Sequence, residues 1–426
     1  MPNKNIFCNT PWYELQIYWD GSLGICCQED HKLYKGNGYN IATMTIAEWF
    51  DSQPVKSFRQ RILQSTPLSE CRRCYHEEAQ GGMSRRIRSN QKSVIFTQAF
   101  DNSFEQSPGR RHFEPSGTTD THPIDIHIDL GNYCNLACKM CNARASSAIA
   151  VQEVKWGIAE SKQYVGTDWT RDQTVWDNFK QQLLEIPGLN NIHFMGGETL
   201  LTDRFEDLVD WLTEHQRFET CLSFVTNGTV YKPGLMSKLQ CFKRVGIEIS
   251  IETVDEHNAY QRQGTDTVLV LANIDQYTQL GNNVEVCLRP AVSALTIGYH
   301  AGLIEYAFDK QLPIKSLLVS DPRFLDAEIL PQNVKLQYLQ KYVPLINKLG
   351  ATQVQDYNAM DPNEFRRNLA QQIEMCVTIL STPSPRDSEQ QLQAMVEHCR
   401  RWDQIYQLDA RALYPELTEI WDQYAY

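Results

Sequence analysis

The chain has 426 residues, of which 42% are hydrophobic and 22% are charged, and its formal net charge is −12. This length supports two or three domains with a sizeable core, and the composition is typical of a water-soluble globular protein. The negative charge argues against nucleic acid as a partner, because phosphates would be repelled overall. No apolar run is as long as a membrane span and the N-terminus has no apolar signal core, so we expect neither membrane insertion nor export. Thirteen cysteines in such a chain predict reduced thiols and metal sites in the cytoplasm.

The first structural signal in the chain is a β-hairpin. Two β-prone runs flank Asp20-Gly21, a dipeptide that is one of the strongest short hairpin signals. Residues 44–61 follow with the pattern of a helix whose apolar anchors are Trp49, Phe50 and Phe58.

Cysteines around this hairpin form a candidate metal site. Cys8 precedes it, Cys26 would lie at the end of its second strand, and Cys71 and Cys74 form a Cys-x2-Cys pair further on. Four thiolates are a complete ligand set for one zinc ion or one iron–sulfur cluster. Cys27 is an adjacent alternative to Cys26, and the spacing does not choose between them.

A run of basic residues, Arg85-Arg86-Ile87-Arg88, follows the Cys-x2-Cys pair. We expect it to be a solvated face beside a flexible linker and not a nucleic-acid patch. Residues 89–122 are rich in Ser, Gly, Pro, Asn and Thr, and this composition predicts that linker, partly disordered.

A second cysteine cluster lies on a strand-to-helix loop. Residues 124–130 alternate apolar and polar side chains, as a strand does, and residues 143–157 have a helical pattern. Between them stand Cys134, Cys138 and Cys141. Three thiolates on one loop suit a cubane iron–sulfur cluster, which has four irons and would keep one open. The alternatives are a zinc knuckle, which would require a fourth ligand nearby, and three unrelated buried thiols.

From residue 124 to about 319 the chain alternates strands and helices. The predicted strands are 124–130, 191–195, 222–226, 245–251, 283–288 and 316–319. The predicted helices are 143–157, 175–186, 205–215, 236–242, 267–280 and 297–310. Six βα units of this kind predict an α/β fold with a parallel sheet, whose functional loops lie at the carboxyl ends of the strands.

Polar and glycine residues follow several of these strands. Glycines let the backbone approach a ligand closely, and a glutamate can accept hydrogen bonds from an ammonium group. The residues at these strand ends are Gly196, Gly197, Glu198, Asn227, Ser250 and Glu252. Two arginines, Arg262 and Arg289, come after the fourth and fifth strands.

The Cys-x3-Cys-x2-Cys loop resembles the hallmark of the radical S-adenosylmethionine (radical SAM) enzymes. The resemblance implies a partial (β/α)6 TIM-like barrel and a catalytic [4Fe–4S] cluster on Cys134, Cys138 and Cys141. S-adenosylmethionine would chelate the open iron. In that family one electron from the cluster cleaves this cofactor to methionine and a 5′-deoxyadenosyl radical, which abstracts hydrogen from the substrate.

The same resemblance assigns the cofactor contacts. The amine would bind Gly196, Gly197 and Glu198, the ribose hydroxyls Ser250 and Glu252, and the carboxylate Arg262, with Arg289 as a second candidate. Asn227 would belong to the same site, and Met140 would lie near the adenine. Three positions depart from the family pattern: Met140 replaces an aromatic residue, Thr199 replaces a proline, and Glu252 replaces an aspartate.

The N-terminal cysteines resemble the SPASM/twitch module, which binds auxiliary iron–sulfur clusters. Cys8, Gly21 and Cys26, with the later pair Cys71 and Cys74, match its pattern. In the family this module follows the barrel, whereas here it precedes it with enough cysteines for one cluster. A second, auxiliary [4Fe–4S] cluster is therefore implied, and a four-cysteine zinc site is the alternative.

The C-terminal part is predicted to be helical at 332–349, 363–380, 389–408 and 415–424. We therefore expect a cluster domain at 1–88, a linker at 89–122, the barrel at 123–320 and a helical region at 321–426. Three further cysteines are expected in the core, Cys221, Cys241 and Cys287, and we expect His127 and His193 to be packed or hydrogen-bonded. One of Cys376 and Cys399 is a weak candidate for a hydrogen-atom donor.

These features predict a radical SAM enzyme that modifies a ribosomally made peptide or a protein, by crosslinking, epimerisation or oxidation. Oxidation or epimerisation of a small molecule, such as an aminocyclitol or a sugar, is the alternative within the enzyme class. A zinc-stabilised binding protein without chemistry is the alternative from another class. An electron donor such as flavodoxin or ferredoxin would be a partner.

Overall fold

The computed structural model describes residues 6–29, 38–79, 81–96, 115–119, 121–166, 168–351, 362–424 and 426. Its strands are β1 (Glu14–Ile17), β2 (Leu23–Gly24), β3 (Asp125–Asp129), β4 (Ala137–Cys138), β5 (Asn191–Met195), β6 (Cys221–Thr226), β7 (Val245–Ile249), β8 (Arg262–Gln263), β9 (Val284–Leu288), β10 (Ala291–Val292) and β11 (Leu317–Leu318).

The α-helices are arranged before, between and after these strands. They are α1 (Ile46–Phe50), α2 (Gln53–Leu63), α3 (Arg72–Ala79), α4 (Arg85–Phe96), α5 (Ser147–Lys155), α6 (Gln173–Glu185), α7 (Asp203–Glu214), α8 (Pro233–Leu239), α9 (Glu256–Gln261), α10 (Thr267–Tyr277), α11 (His300–Lys310), α12 (Gln332–Gln340), α13 (Val343–Ala351), α14 (Pro362–Ser381), α15 (Ser388–Tyr406), α16 (Ala410–Leu413) and α17 (Thr418–Gln423). Within the described ranges, no helix combines the length and the apolarity that crossing a bilayer requires.

Five parallel strands, taken in chain order, form the centre of the sheet. β3, β5, β6, β7 and β9 are hydrogen-bonded neighbours in that sequence. Helices connect them, as parallel strands require, so the carboxyl ends of all five lie at one edge. The α/β class and the partial barrel are thus confirmed, and the predicted strand ends differ from the observed ones by at most two residues.

The sixth predicted strand is present but short. β11 covers two residues of 316–319 and pairs with β10, the extension of the chain beyond β9. A single parallel bridge joins Leu288 of β9 to Ile314 just before it. The barrel is therefore closed only weakly on this side.

The N-terminal hairpin extends the same sheet. β1 and β2 pair across the Asp20-Gly21 turn, and Gly21 has the positive φ, 79°, that this tight turn requires. β1 also lies parallel to β3, with Glu14 opposite Asp125, which gives a seven-stranded sheet in the order β2-β1-β3-β5-β6-β7-β9. The hairpin that we assigned to a domain at 1–88 is thus an edge of the barrel sheet, and the domain boundaries themselves remain a prediction.

The two faces of the sheet differ in chemistry. Ile126 and Ile128 of β3 are fully buried in the hydrophobic core beneath the helices. Asp125 and His127 alternate with them and, because successive side chains of a strand point to opposite faces, lie on the inner face. Strands in most parallel sheets are apolar on both faces, so a polar inner face indicates a chamber that holds more than packed side chains.

Helices of the N-terminal region differ from prediction in one place. The helix predicted over 44–61 is divided into α1 and α2, because Pro54 stands in the first turn of α2 and cannot continue a preceding helix. Arg59 of α2 is buried and donates hydrogen bonds to the carbonyl oxygens of Pro11, at 2.9 Å, and Gly117, at 3.3 Å. The module therefore packs as one unit.

The first eight residues of the predicted linker are helical. Residues 89–96 belong to α4, whose Ser89 and Asn90 hydrogen-bond the loop at Asn9 and Thr10. Helical hydrogen bonds and these contacts outweigh the polar composition on which the linker prediction was based. Residues 97–114 of the predicted linker lie outside the described residues.

The C-terminal region is helical, as predicted, and packs on the barrel. The segment predicted as 332–349 is divided between α12 and α13, and α14, α15 and α17 match the other three predictions. Trp402 of α15 joins the small apolar cluster of Ala137 and Ala143, which flank the cysteine loop. Ring and hydrogen-bond contacts of α9 with Tyr414 attach the same region to the end of β7.

Candidate functional site

The loop with Cys134, Cys138 and Cys141 lies against the Gly-Gly turn that follows β5. Gly196 and Gly197 have φ of 81° and 56°, a region that favours glycine. A Cβ on Gly197 would lie 2.2 Å from the carbonyl oxygen of Tyr133, and one on Gly196 would lie 2.5 Å from that of Gly131. The glycines thus allow two backbone loops to touch each other, whereas we had expected the close approach to be to a ligand.

Hydrogen bonds fix the start of this loop. The amide of Glu198 donates to the carbonyl of Tyr133 at 2.7 Å, and the amide of Cys134 donates to the Ser147 hydroxyl at 3.2 Å. The amide of Leu136 donates to the Cys134 sulfur at 3.4 Å. Backbone donors to a ligating sulfur stabilise its thiolate form and orient it.

The three thiols are close enough to influence one another. Burial, together with the charge of Cys134, raises the pKa of Cys141 to about 12. Burial also raises the pKa of Cys138, again with the charges of the other two thiols adding to it. Because metals bind thiolates, an iron cluster at this loop would displace these protons.

Arg262 lies opposite Cys138 because β8 pairs antiparallel with β4. Its guanidinium forms a two-pronged hydrogen bond with the carboxylate of Glu252, in which one N–O distance is 2.8 Å. Its Nη1 lies 3.7 Å from the Cys138 sulfur. We had assigned Arg262 to the cofactor carboxylate and Glu252 to the ribose, but in the structure these two buried residues bind each other. Their roles toward the cofactor remain predictions.

Glu198 connects the ends of two neighbouring strands. Its buried carboxylate accepts hydrogen bonds from the Leu200 amide at 3.0 Å, the Thr226 hydroxyl at 2.7 Å and the Asn227 amide at 2.6 Å. Asn227 in turn donates to the side chain of Asn135 in the cysteine loop. Glu198 therefore organises the strand ends, and its contact with a cofactor amine remains a prediction.

Two further predicted residues lie at the same edge of the barrel. Ser250 follows β7 directly, is buried, and donates its amide to the carbonyl of Thr226 at 2.8 Å. Met140 is half-buried between Cys138 and Cys141 and packs against the main core. The predicted cofactor residues thus follow the carboxyl ends of β3, β5, β6 and β7.

Sequence reasoning missed Lys139, which lies inside the cysteine loop. Its side chain is buried, donates to the Tyr260 carbonyl at 2.6 Å, and lies 3.5 Å from the centre of the Tyr260 ring. Burial lowers its pKa to about 7. A lysine in a polar loop is normally solvent-exposed, so the sequence contains no signal for this contact.

The four N-terminal cysteines form a second group. Cys8 and Cys74 are buried and Cys71 is half-buried, and burial is the main cause that raises the pKa of each. The charges of Cys8 and Cys74 raise the pKa of Cys71 further. Burial is also the main cause that raises the pKa of Cys26, and the charges of Glu29, Cys27, Glu14 and Cys74 add to it in that order.

Cys27 faces a different environment from Cys26. Its sulfur lies within 4.8 Å of ligand atoms of Glu14 and His127, both on inner-face positions. Burial raises its pKa to about 11, although the charges of Arg85 and Arg289 act against this rise. The charge of Glu14 raises the pKa of both thiols, and Cys26 as the fourth thiol of the N-terminal group remains a prediction.

The sulfur spacing allows a test of zinc against a larger cluster. A tetrahedral zinc ion with Zn–S bonds of about 2.3 Å brings its sulfurs to about 3.8 Å from one another. In the part of the chain that the structure describes, the groups of three or more candidate ligands within 4.8 Å of one another are Glu14/Cys27/His127 and His76/Asp326/Glu328. Neither cysteine group is among them, so no three sulfurs of either group lie within 4.8 Å of one another, a wider spacing than a single zinc ion requires.

Other predictions about single residues have mixed outcomes. His127 and His193 are buried and hydrogen-bonded, to Arg85 at 3.0 Å and to Ser223 at 2.8 Å.

Cys287 is buried as expected, but Cys241 is exposed and Cys221 is only half-buried, so the core prediction is wrong for these two. Cys241 lies in the turn after α8, beyond the buried stripe of that helix. Cys376 and Cys399 are fully buried, which argues against a hydrogen-donor role.

The basic run 85–88 is not a solvated face. Arg85 is bound by Glu14 and lies 3.6 Å from Asp125, and Arg86 is bound by Glu78. Glu14 and Asp125 belong to β1 and β3 and hold α4 against the inner face of the sheet, whereas Glu78 lies at the end of the preceding helix α3.

Two family models cover these two cysteine groups. A model described as the radical SAM superfamily matches residues 128–292, and a SPASM model described as an iron–sulfur cluster-binding domain matches residues 8–75. The chain belongs to the radical SAM superfamily. It carries a SPASM domain ahead of the barrel. A radical SAM enzyme with this domain has a catalytic [4Fe–4S] cluster, S-adenosylmethionine and an auxiliary iron–sulfur cluster as cofactors.

Individual relatives of this radical SAM protein are distant. The GTP 3′,8-cyclase of Corynebacterium glutamicum (strain R) is 26% identical over 200 residues, which is 44% of this chain and 46% of the cyclase. The chain thus spans about half the length of the curated relative it matches.

Similar solved structures include two radical SAM proteins. Native anSMEcpe with bound AdoMet is 18% identical, with a TM-score of 0.40 over 53% of this chain and 61% of that one. Streptococcus suis SuiB bound to the precursor peptide SuiA is 13% identical, with a TM-score of 0.40 over 66% of this chain and 60% of that one.

Proposed function

We propose that this radical SAM enzyme modifies a ribosomally made peptide or a protein, by crosslinking, epimerisation or oxidation. The catalytic cluster would be held by Cys134, Cys138 and Cys141. The auxiliary cluster would be held by Cys8, Cys26, Cys71 and Cys74. The observation that carries the proposal is the presence of two separate cysteine groups, each more widely spaced than a single zinc ion requires, at the two ends of one sheet.

That placement follows from the strand directions. Cys8 precedes the first residue of β1, and the cysteine loop follows the last residue of β3. Because β1 and β3 are parallel neighbours with Glu14 opposite Asp125, the two groups lie at opposite ends of the sheet. A strand of five residues is roughly 17 Å long, which leaves room for substrate groups between them.

When bound, the catalytic cluster supplies the electron that cleaves S-adenosylmethionine and so generates the radical that abstracts hydrogen from the substrate. The protein residues hold this site in place. Arg262 is fixed by Glu252 and directs one N–H toward the sulfur of Cys138. Glu198 locks the strand ends together, and the Gly-Gly turn supports Tyr133 beside Cys134. These contacts position the cysteine loop before any cofactor arrives, as catalytic sites require.

The peptide proposal is based on the SPASM domain, whose resemblance implies peptide or protein substrates. A small-molecule substrate is the second candidate, and the match to a GTP 3′,8-cyclase over 200 residues supports it. In either case an electron donor such as flavodoxin or ferredoxin would reduce the catalytic cluster. The zinc-stabilised binding protein is disfavoured by the sulfur spacing.

Iron counting and a product assay test the cysteine assignments. The protein would be reconstituted without oxygen, its iron counted, and 5′-deoxyadenosine measured after addition of reductant and S-adenosylmethionine. We expect about eight irons per chain in the wild type, and about four with no deoxyadenosine in the Cys134/Cys138/Cys141→Ala variant. Cys26→Ala should lower the iron content, whereas Cys27→Ala and the exposed control Cys241→Ala should not.

Three results would decide against parts of the proposal. Stoichiometric zinc without deoxyadenosine would refute the proposal that this protein is an enzyme. Four irons in the wild type and none in the triple variant would support the catalytic cluster and refute the auxiliary cluster. Substrate-dependent deoxyadenosine formation with a small molecule, but not with peptides encoded beside this gene, would select the second candidate.

A further inference from the structure

A small apolar cluster lies between the catalytic cysteine loop and the surface. It is separate from the main core and contains Trp402 of α15 together with Ala137 and Ala143 from beside the cysteines. Cys141 packs against this cluster, and so does the half-buried Trp156 at the end of α5. Few side chains therefore separate a predicted ligand of the catalytic iron–sulfur cluster from solvent at this place.

The rings of this apolar cluster contact one another. The centres of the Trp402 and Trp156 rings are 5.2 Å apart, and those of Trp402 and Tyr406 are 5.7 Å apart. The Lys139 ammonium, inside the cysteine loop, lies 5.5 Å from the centre of the Trp402 ring. Neither indole N–H has a hydrogen-bond partner among the residues that the structure describes, so the two tryptophans contribute their rings and not hydrogen bonds. Together they form a packed path from the cysteine loop to the surface.

The helix that ends at Trp156 presents apolar side chains to solvent. Val151, Val154 and Lys155 are three and four residues apart and so share one side of α5, which we call its outer face. Val151 is 42% exposed and Val154 is 37% exposed, whereas Ile149 on the other side of the helix is buried. Exposed apolar side chains rimmed by charged ones are typical of sites where another protein binds.

The exposed charges around the outer face are more often positive than negative. The Arg401 guanidinium lies 5.5 Å from the centre of the Trp156 ring. The exposed cations of residues 147–165 and 397–406 are Lys155, Lys162, Arg400 and Arg401. The exposed acids of the same segments are Glu160 and Glu397. Neither Lys155 nor Arg401 has an ion pair with a residue that the structure describes. Because the whole chain has a net charge of −12, an acidic partner meets less repulsion here than over most of the molecule.

We propose that the outer face of α5, with Trp156 and Arg401, docks an acidic protein that carries one electron. This inference rests on the proposed function, which requires a donor for the catalytic iron–sulfur cluster, and it adds the docking site and the surface charge of that donor. An electron, unlike a substrate, does not have to enter the barrel, because it can cross packed side chains. One electron crosses the Trp156 and Trp402 rings to the iron–sulfur cluster at Cys141. The carrier is oxidised by one electron and the iron–sulfur cluster is reduced by one, while no bond forms or breaks and the rings are unchanged.

Calorimetric titration of the reconstituted protein with a flavodoxin of negative net charge tests this docking surface. We expect binding at low ionic strength that weakens as salt is added, because exposed opposite charges are screened. Arg401→Glu and Lys155→Glu replace attraction by repulsion, so each should weaken flavodoxin binding about 10-fold. Arg367→Glu reverses an exposed cation on α14 and is the matched control, which should bind as the wild type does. Equal midpoints of urea unfolding show that the variants are folded.

A comparison of two electron donors tests whether this surface is where the electron enters. Deoxyadenosine formation is measured with reduced flavodoxin and, separately, with dithionite, a small reductant that needs no docking surface. The ratio of the flavodoxin-driven rate to the dithionite-driven rate should fall about 10-fold in Arg401→Glu, because encounter of the two proteins is slowed. The ratio should be unchanged in Arg367→Glu.

The outcomes separate this inference from the proposed function. Equal flavodoxin binding by the wild type, Arg401→Glu and Lys155→Glu, or no binding to the wild type, would overturn the docking surface. An unchanged ratio of rates in Arg401→Glu would overturn its role in electron entry. Self-association of the wild type that is lost in Arg401→Glu, measured by light scattering, would assign the surface to a second copy of this chain and overturn the choice of a carrier. Absence of deoxyadenosine in the wild type with either donor would count against the proposed function alone, because flavodoxin binding is measured separately.

Discussion

Replacement of Gly197 by alanine tests whether the Gly-Gly turn supports the cysteine loop. A Cβ at this position would lie 2.2 Å from the carbonyl oxygen of Tyr133. Carbon and oxygen atoms of this kind rarely approach closer than about 3.3 Å, so the loop must move by about 1 Å. The Tyr133 carbonyl also accepts the Glu198 amide at 2.7 Å, and Cys134 is the next residue in the chain.

Gly188 provides a matched control for this substitution. Its φ of 67° is close to the 56° of Gly197, but no atom lies within 4 Å of a Cβ built there. Alanine at either position costs roughly 1–2 kcal/mol for its left-handed backbone. At Gly197 we add about 1 kcal/mol for the disturbed hydrogen bond and at least as much for the displaced loop, so the expected cost is about 3–4 kcal/mol.

Two measurements separate the variants. The free energy of unfolding in urea should fall more for Gly197→Ala than for Gly188→Ala, by about 2 kcal/mol, as derived above. Iron after reconstitution should fall toward about four per chain in Gly197→Ala, because the catalytic loop is misplaced, and should be unchanged in Gly188→Ala. If the two variants agree in both stability and iron content, the supporting role of the turn is refuted.

Two further predictions concern ion pairs. Glu252→Gln should destabilise the protein by about 3 kcal/mol, because it leaves the buried Arg262 guanidinium uncompensated. Glu285→Gln is the control, since it removes an exposed ion pair and should cost under about 1 kcal/mol. Equal midpoints of urea unfolding for the two variants would contradict this prediction. A hydrogen bond to Asp326 raises the pKa of His76. The stabilisation from this pair should be fully present below the unfolded pKa of about 6.5 and lost as pH rises through the higher folded value. His76→Gln should therefore destabilise the protein more at pH 5.5 than at pH 8.5, by a small amount because His76 is partly exposed, and a difference that grows with pH would refute it.

The sequence predicts the central sheet because local patterns determine it. Residues 191–195 alternate apolar and polar side chains and form β5 with the same bounds. The Asp20-Gly21 signal also produces the predicted hairpin, since the turn depends on local features, the positive φ of Gly21 and the hydrogen bonds from Ser22 to Asp20. What the sequence does not indicate is that β1 pairs with β3, because this parallel pairing joins segments that lie about a hundred residues apart.

In the candidate site, too, the sequence predicts local motifs but not contacts between distant segments. The three cysteines and the Gly-Gly turn are spaced motifs, and motif spacing predicts their proximity. The mutual binding of Glu252 and Arg262 depends on the pairing of β4 with β8. Each of these strands has two residues, which is too short for a sequence pattern that would predict the pairing. A charged run such as 85–88 has the same composition whether water or distant carboxylates surround it, and so its burial could not be predicted.

The position of α4 connects the two ends of the molecule. Its N-terminal turn binds the inner face of the sheet through Arg85, and its Ser89 and Asn90 hold the loop that carries Cys8. A displacement of this helix would therefore disturb the loop that carries Cys8 and the charged inner face of the sheet together.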